Sequence, residues 1–200
     1  MTRLHIGCGP VALPGWINID NQPYPAVDRV LDVTTGLPFD DVSFIFAEHF
    51  IEHLSYQDGL KLLRSCRRVM NRTGVLRLST PNLDWVWSTH YHFPHWSSAD
   101  EPLRACFALN QAFRGWGHQF LYNMQTLQAT LREAGFGKFV ICRYGESSHP
   151  ELQNLEKHET YVDVPELPHI LVIEASGFFG EKQPDLESMM AGYQEAVGVR

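Results

Sequence analysis

The stretch LHIGCGPVALPGWINID, from Leu4 to Asp20, sets two short apolar runs on either side of a turn that begins with two glycines. Short apolar runs bounded by glycine and proline are typical of buried β-strands. Glycines directly after the first run let the backbone turn sharply and approach a ligand closely. The stretch therefore predicts a strand, a ligand-binding turn and a second strand; a tight turn without a ligand is the alternative.

Short apolar runs alternate with helical patterns along the chain, which favours an α/β fold. One helix is predicted to begin after Ser55, with Asp58 completing a capping box, and to end at Asn71–Gly74. A second helix, MQTLQATLREAGF, closes at Gly135. The predicted strands are Arg3–Ile6, Trp16–Ile19, Val27–Val33, Phe44–Ala47, Val75–Ser79, Phe139–Arg143 and His169–Glu174.

The segment 82–122 differs from the rest because it is long, rich in aromatic residues and histidine, and not strand-like. We expect it to form a lid inserted over the sheet. A chain of 200 residues suits one domain. We expect that domain to span 1–176 and to be followed by a peripheral tail over 177–200.

Composition narrows the class of protein. A net charge of −7 disfavours a protein that grips nucleic acid. The four cysteines show no C-x-x-C spacing, which indicates a reduced chain without disulfides. No apolar run approaches the roughly 18 residues that span a bilayer, and no signal peptide precedes the first strand. We expect a cytoplasmic protein that binds neither membranes nor nucleic acid. A homodimer is compatible with the sequence.

The glycine turn fits the dinucleotide fingerprint G-x-G-x-x-G/A at Gly7, Gly9 and Ala12. A dinucleotide's pyrophosphate needs a helix N-terminus behind those glycines, but the prolines after Gly9 leave room for about one turn of helix. Asp20 also comes much sooner than the acid expected about 20 residues beyond the fingerprint. A ligand with a ribose and no phosphate, such as S-adenosylmethionine, fits better, with Asp20 accepting from both ribose hydroxyls.

Six motifs in a fixed order cover most of the stretch from Arg3 to Phe136: LHIGCG, PGWINID, LDVTTGLPFDD, FAEHFIEHL, RRVMNRTGVLRLSTPNL and GHQFLYNMQTLQATLREAGF. The set resembles the class I S-adenosylmethionine-dependent methyltransferases, in particular a small branch, similar to type 11, with LxLGCG followed by PGWxNxD. The resemblance implies a Rossmann-like, doubly wound sheet of about seven strands, mostly parallel with an antiparallel last strand. It also implies S-adenosylmethionine at the C-terminal strand ends.

The resemblance assigns residues to both ends of the cofactor. Asp20 matches the ribose-binding acid, next to Asn21, and Asp32 with Val33 matches the pair near the adenine. His5 stands where the family usually has an acid, two residues before the first glycine. The residues expected near the methionine end are His5, Gly7, Cys8, Gly9, Glu48 and His49.

Methyl transfer needs the acceptor held in line with the methyl group, and a base where the acceptor must lose a proton. Histidine suits that work. In related enzymes a histidine at the position of His118 borders the active site; a role in orienting the lid is equally compatible. The candidate catalytic residues are His118 and His49, and the candidate substrate contacts are Arg114, Tyr122, His90 and Trp85. Glu52 and His53 are expected to have a structural role at a helix start.

We therefore predict a methyltransferase acting on an oxygen or nitrogen of a small molecule or saccharide, without a metal. HYHFPHW, with His90, His92 and His95, approximates the H-x-H-x-D-H of binuclear hydrolases, with Pro94 in place of the aspartate. A metal-dependent hydrolase and a catalytically silent cofactor-binding or partner-binding module are the alternatives. The polar stretch 146–158 is expected to be a solvated loop, or else to recognise substrate or a second copy of the chain.

Overall fold

The computed structural model describes residues 1–158, 166–178 and 184–198. Within these residues a seven-stranded sheet has the strand order β3-β2-β1-β4-β5-β7-β6. The strands are β1 (Thr2–Ile6), β2 (Ile17–Asp20), β3 (Arg29–Val30), β4 (Val42–Glu48), β5 (Met70–Pro81), β6 (Lys138–Ile141) and β7 (Ile170–Ser176).

The last strand, β7, runs against its neighbours β5 and β6, whereas the pairs from β3 to β5 are all parallel. The predicted α/β class, the strand number and the antiparallel last strand are therefore confirmed. Because the parallel strands end at one edge, the residues that follow β1, β2 and β4 meet there.

Five helices lie in the described residues: α1 (Tyr56–Val69), α2 (Leu83–His90), α3 (Glu101–Arg114), α4 (Met124–Glu133) and α5 (Pro184–Ala196). The predicted cap of α1 is present, because the Asp58 N–H donates to Ser55 Oγ, and that hydroxyl donates to the Asp58 carboxylate. None of these helices is long and apolar enough to cross a membrane.

The two faces of β4 bury different clusters. Ile45 and Ala47 join the main core with α1 and α4, whereas Phe44 and Phe46 face a smaller cluster. That smaller cluster is completed by Leu13, Trp16, Val75 and Leu152. The strand is therefore buried on both faces, as parallel sheets require.

Several predicted boundaries differ from the structure, most clearly at β3 and at the junction of α1 with β5. The third strand covers only Arg29–Val30, because Asp32 ends the extended stretch by capping a 3₁₀ turn at Val33–Thr35. Helix α1 ends at Val69, and Met70 is already extended and paired with Val42 at the start of β5. Residues 71–74 (NRTG) are polar and favour a turn, but in the structure they are already extended and belong to β5.

The ends of segment 82–122 lie side by side. Asn82 and Tyr122 form an isolated parallel bridge, and the Leu83 N–H donates to the Tyr122 carbonyl over 2.9 Å. Helices α2 and α3 lie between these ends and contact each other. The segment thus leaves the end of β5 and returns to it.

Candidate functional site

Two neighbouring cavities open at the carboxyl edge of the parallel strands, and His49 and His53 line both. The first, here called the glycine-turn cavity, measures about 590 Å³ and lies over the turn after β1. Seven of the ten predicted cofactor residues line it: Gly7, Gly9, Asp20, Asn21, Asp32, Val33 and His49. The second, the histidine cavity, measures about 540 Å³ and lies between β5 and the helices α2 and α3.

The glycine turn is shaped by its neighbour Phe50. Gly7 has φ +67°, and a Cβ there would lie 2.1 Å from Phe50 Cδ2. Gly9 is also left-handed, at φ +51°. Only glycine fits the first position without strain and clash, so the backbone comes directly to the cavity surface.

Asp20 is held in place at the end of β2 by two backbone donors. The Gly9 N–H donates to Asp20 Oδ2 and the Gln22 N–H donates to Asp20 Oδ1, both over 2.9 Å. Each carboxylate oxygen keeps a further lone pair. The side chain can therefore accept from two vicinal hydroxyls without first being ordered.

Asp32 forms a second fixed acceptor in the same cavity. Its Oδ1 accepts from the Thr34 N–H over 2.9 Å and from Thr34 Oγ1 over 2.6 Å. These hydrogen bonds with Thr34 lower the pKa of the Asp32 carboxyl. The group is ionised near neutral pH and can accept a hydrogen bond from a ligand amine.

Three predicted cofactor residues lie beside this cavity and not in its wall. His5 is buried with Nδ1 3.1 Å from Asn18 Oδ1, and burial lowers its pKa. Cys8 is also buried, which raises the pKa of its thiol to about 11. The Glu48 carboxylate accepts from the backbone N–H groups of Lys157 and His158. Their roles toward a cofactor stay predictions.

The histidine cavity is named for the described histidines in its wall: His49, His53, His90, His118, His158 and His169. Trp85, Val86 and Leu121 supply apolar surface between them. The cavity therefore combines an apolar body with several ring nitrogens, which suits a small polar ligand.

His49 stands on the border between the cavities in an uncommon backbone conformation, with φ +46°. Its Nδ1 lies 3.2 Å from Oε1 of the fully buried Glu52, and its buried Nε2 has no hydrogen-bond partner among the described residues. Non-glycine residues with positive φ concentrate at functional sites. An imidazole with a carboxylate beside Nδ1 and no described partner at Nε2 has the donor and acceptor pattern of a general base.

A backbone carbonyl selects the tautomer of His118. Its Nδ1 lies 2.7 Å from the carbonyl oxygen of Ala112, which can only accept, so in the neutral ring Nδ1 carries the proton and Nε2 has the lone pair. His53 contacts His118 edge to face, with ring centroids 5.0 Å apart. Burial lowers the pKa of His53, so this ring is neutral near pH 7.

The predicted substrate contacts separate into two groups. Trp85 and His90 line the histidine cavity. Tyr122 is fully buried in the core against Phe120, and Arg114 ends α3 outside the walls of both cavities.

The HYHFPHW histidines are not brought together as ligands. His90 Nδ1 contacts Thr89 Oγ1, and His92 Nδ1 contacts the Glu101 carboxylate at the start of α3. In the part of the chain that the structure describes, one group of three metal-ligating side chains converges, and it is Glu52, His53 and His118. His95 belongs to neither cavity wall.

Several residues in the cavity walls were not among the predicted site residues, including His53, Gln119, His158 and His169. His53 borders both cavities, and His158 and Gln119 enter one cavity each. His53 stands in the FIEHL motif, where a structural role at a helix start was the favoured interpretation. His169 gave no local signal, because it precedes an ordinary apolar strand.

No protein-family model and no curated protein matches this chain. Solved structures share its fold. PigF with SAH has a TM-score of 0.51 at 17% identity over 88% of this chain. A possible histamine N-methyltransferase from Thermotoga maritima has a TM-score of 0.53 at 15% identity, covering 88% of this chain and 81% of its own. A SAM-dependent methyltransferase from Archaeoglobus fulgidus has a TM-score of 0.51 at 18% identity, covering 87% and 85%.

The chain spans 56% of the length of PigF, so its likeness to that protein concerns one part of a longer molecule. The strand order and the antiparallel β7 agree with the expectation from the sequence motifs. The chain has the fold of the class I S-adenosylmethionine-dependent methyltransferases.

Proposed function

We propose that this chain is an S-adenosylmethionine-dependent methyltransferase that modifies an oxygen or nitrogen of a small molecule or saccharide. The observation that carries the proposal is the meeting of the two cavities at His49. One cavity has the fixed acceptors that a nucleoside needs, and the other has ring nitrogens within an apolar wall. A reaction between a nucleoside cofactor and a second small ligand requires this juxtaposition.

The glycine-turn cavity suits S-adenosylmethionine better than a dinucleotide. Asp20 would accept from the ribose hydroxyls and Asp32 from the adenine amine, and both carboxylates are already held by backbone donors. The residues between Gly9 and β2 form turns, without the helix N-terminus that a pyrophosphate would use. PigF, one of the similar structures, is a complex with SAH.

When bound, S-adenosylmethionine supplies an electrophilic methyl group on its sulfonium sulfur. The chain's own part is to hold the acceptor in line and to take up its proton. His49 Nε2 is the proposed proton acceptor, because it has no hydrogen-bond partner among the described residues and its ring borders both cavities. His118 Nε2 is proposed to position the acceptor. Well-oriented reactants can gain about 7–11 kcal/mol from such positioning.

The acceptor class follows from the histidine cavity. Its volume of about 540 Å³ lies within the range of small-ligand sites and is suited to a single ring system or sugar unit. Trp85 offers an apolar face on which such a ring can stack. The surrounding imidazoles can donate to or accept from hydroxyl and amine groups.

The cofactor assignment is tested by thermal unfolding. S-adenosylhomocysteine at a hundred times its dissociation constant should stabilise the fold by about 2.7 kcal/mol. NAD and ATP at the same concentration serve as controls and should have little effect. A shift with NAD and none with S-adenosylhomocysteine would refute the proposal.

The transfer itself is tested with labelled S-adenosylmethionine and a panel of small hydroxylated and aminated acceptors, including free sugars. Label should pass to an acceptor, and the His49→Asn variant should transfer it about 10²–10⁴-fold more slowly. Cofactor binding without transfer to any acceptor of these classes would favour a silent cofactor-binding module.

A further inference from the structure

Three side chains with metal-ligand chemistry converge beside the histidine cavity. Glu52, His53 and His118 each offer one ligand atom, and these three atoms all lie within 4.8 Å of one another. The first two belong to a 3₁₀ turn after β4, and His118 comes just before α4. Their meeting is therefore a product of the fold and not of local sequence.

Each member of the group is oriented by a contact on its far side. Ala112 accepts from His118 Nδ1, and Thr80 Oγ1 donates to Glu52 Oε2 over 2.9 Å. Gly117 lies against the Nδ1 side of His53. Metal-ligating histidines and carboxylates are typically held by outer contacts of this kind, which fix the tautomer and the direction of the free atom.

The buried carboxylate has an oxygen that the protein leaves without a hydrogen bond. Glu52 is fully buried, and its Oε1 makes no hydrogen bond to the described residues, although His49 Nδ1 lies 3.2 Å away. An incompletely satisfied buried carboxylate is costly unless a cation or a donor completes it. The position next to Oε1 is therefore suited to a positive ion.

We propose that Glu52, His53 and His118 form a binding site for one divalent first-row transition-metal ion, with Zn²⁺ as its simplest occupant. Two imidazole nitrogens and one carboxylate are a common donor set for zinc and for related ions. Mg²⁺ and Ca²⁺ prefer oxygen ligands throughout, so this set disfavours them.

The proposed site opens toward the histidine cavity, since His53 and His118 both line it. Three protein ligands leave at least one coordination position for a ligand from the cavity. The ion would thus be placed to hold an oxygen or nitrogen of whatever occupies that cavity. Metal binding does not rest on the proposed methyl transfer and can be measured without cofactor or acceptor.

The test uses the full chain without a purification tag, freed of metal with a chelator. Zn²⁺ binding is measured by titration calorimetry, and Co²⁺ is added separately to record the visible absorption that reports its coordination. We expect one Zn²⁺ per chain and a Co²⁺ spectrum of low coordination number. His53→Ala and His118→Ala should each weaken Zn²⁺ binding by at least about 10–100-fold.

The matched controls are His92→Ala and His95→Ala, which remove lid histidines outside both cavity walls. They should bind Zn²⁺ like the unmodified chain. Circular dichroism of each metal-free variant checks folding. The third ligand is tested with Glu52→Gln, because the amide oxygen still accepts from Thr80. The proposal is overturned if the unmodified chain binds no Zn²⁺, if the site variants retain it, or if the controls lose it equally.

Failure of this test and failure of the proposed function give different results. A chain that binds no Zn²⁺ but is stabilised by S-adenosylhomocysteine would lose the metal site alone. A chain that binds Zn²⁺ through these three residues but ignores S-adenosylhomocysteine would lose the cofactor assignment alone.

Discussion

At the scale of single residues, Asp20 shows how a carboxylate is prepared for a ligand. Its two oxygens already accept hydrogen bonds from the N–H groups of Gly9 and Gln22, so its rotamer is set before a ligand binds. A side chain that is ordered in advance loses little conformational entropy on binding. The affinity contributed by this residue should therefore be close to the full value of its hydrogen bonds.

Asp20→Ala should weaken S-adenosylhomocysteine binding strongly, because it removes both proposed ribose acceptors. Each lost charge-assisted hydrogen bond costs about 1.5–3 kcal/mol. Calorimetry measures the affinity, and Asp40→Ala is the control, since Asp40 is exposed and lines neither cavity. A folded Asp20→Ala chain with unchanged affinity would contradict the assignment.

His49 and His118 are predicted to differ in what their loss does to the kinetics. His49→Asn should lower kcat by about 10²–10⁴-fold, because the proton acceptor is gone while asparagine tolerates the left-handed backbone. His118→Gln should mainly raise KM for the acceptor, since the side chain positions it. Steady-state kinetics with the acceptor varied separates the two effects.

His95→Gln, which changes a residue of segment 82–122 outside both cavity walls, is the kinetic control. The reverse pattern, with kcat lost in His118→Gln and retained in His49→Asn, would make His118 the base. Normal constants in both variants would remove the two histidines from the reaction.

At the scale of elements, the polar stretch 146–158 between β6 and β7 was expected to be a solvated loop, but its C-terminal end is bound to the sheet. The Glu48 carboxylate at the end of β4 accepts from the Lys157 N–H over 2.8 and 3.0 Å and from the His158 N–H over 3.0 Å. His158 thereby reaches the histidine cavity, with its ring centroid 4.5 Å from that of His49. One buried carboxylate thus ties the stretch to the site.

Glu48→Ala should release this end of the stretch. Loss of hydrogen bonds to a charged acceptor, worth about 1.5–3 kcal/mol each, should speed amide exchange at Lys157 and His158 by at least about tenfold. Exchange is followed by NMR at those two amides. Glu151→Ala, which removes only a surface ion pair with Arg3, should leave both rates unchanged, and equal protection in both variants would contradict the docking role.

Local signals in the sequence were sufficient for elements that depend on neighbouring residues. Ser55 and Asp58 predict the start of α1, because a capping box is completed within one turn. The end of α1 was mispredicted, because Met70 pairs with Val42, a residue far away in the sequence. Pairing between distant strands decides such boundaries, and no local pattern carries it.

At the scale of the whole molecule, Arg77 joins two strands and the polar stretch around one buried charge. Its side chain is fully buried, with Nε 2.6 Å from Glu156 and Nη1 2.8 Å from Glu174. Nη1 also donates to the Glu146 carbonyl over 2.9 Å. The same guanidinium thus stabilises β5, β7 and the stretch that reaches Glu48.

Arg77→Met should lower the free energy of unfolding by about 3–5 kcal/mol, because it leaves two buried carboxylates without a counter-charge. Urea unfolding measures the change. The matched control adds Glu156→Gln and Glu174→Gln to the same chain, and it should be more stable than the single variant. A single variant as stable as the unmodified chain would mean that the network contributes nothing.

The parts of the candidate site whose residues lie close together in the sequence could be predicted, and the parts built from distant residues could not. The turn at Gly7 and Gly9 and the acid Asp20 lie within one strand–turn–strand unit, so the motif alone predicted their meeting. The approach of His53 to His118 depends on how the segment before α4 returns to the sheet. No spacing in the sequence encodes that return.

The shared wall between the two cavities has a thermodynamic consequence. A ligand that reorients His49 or His53 in one cavity reshapes the other, because each ring borders both. Binding in the two cavities is then cooperative, and linkage requires the effect to be reciprocal: the factor by which one ligand changes the affinity of the second equals the factor in the opposite direction. Occupancy of either cavity therefore reports on the other.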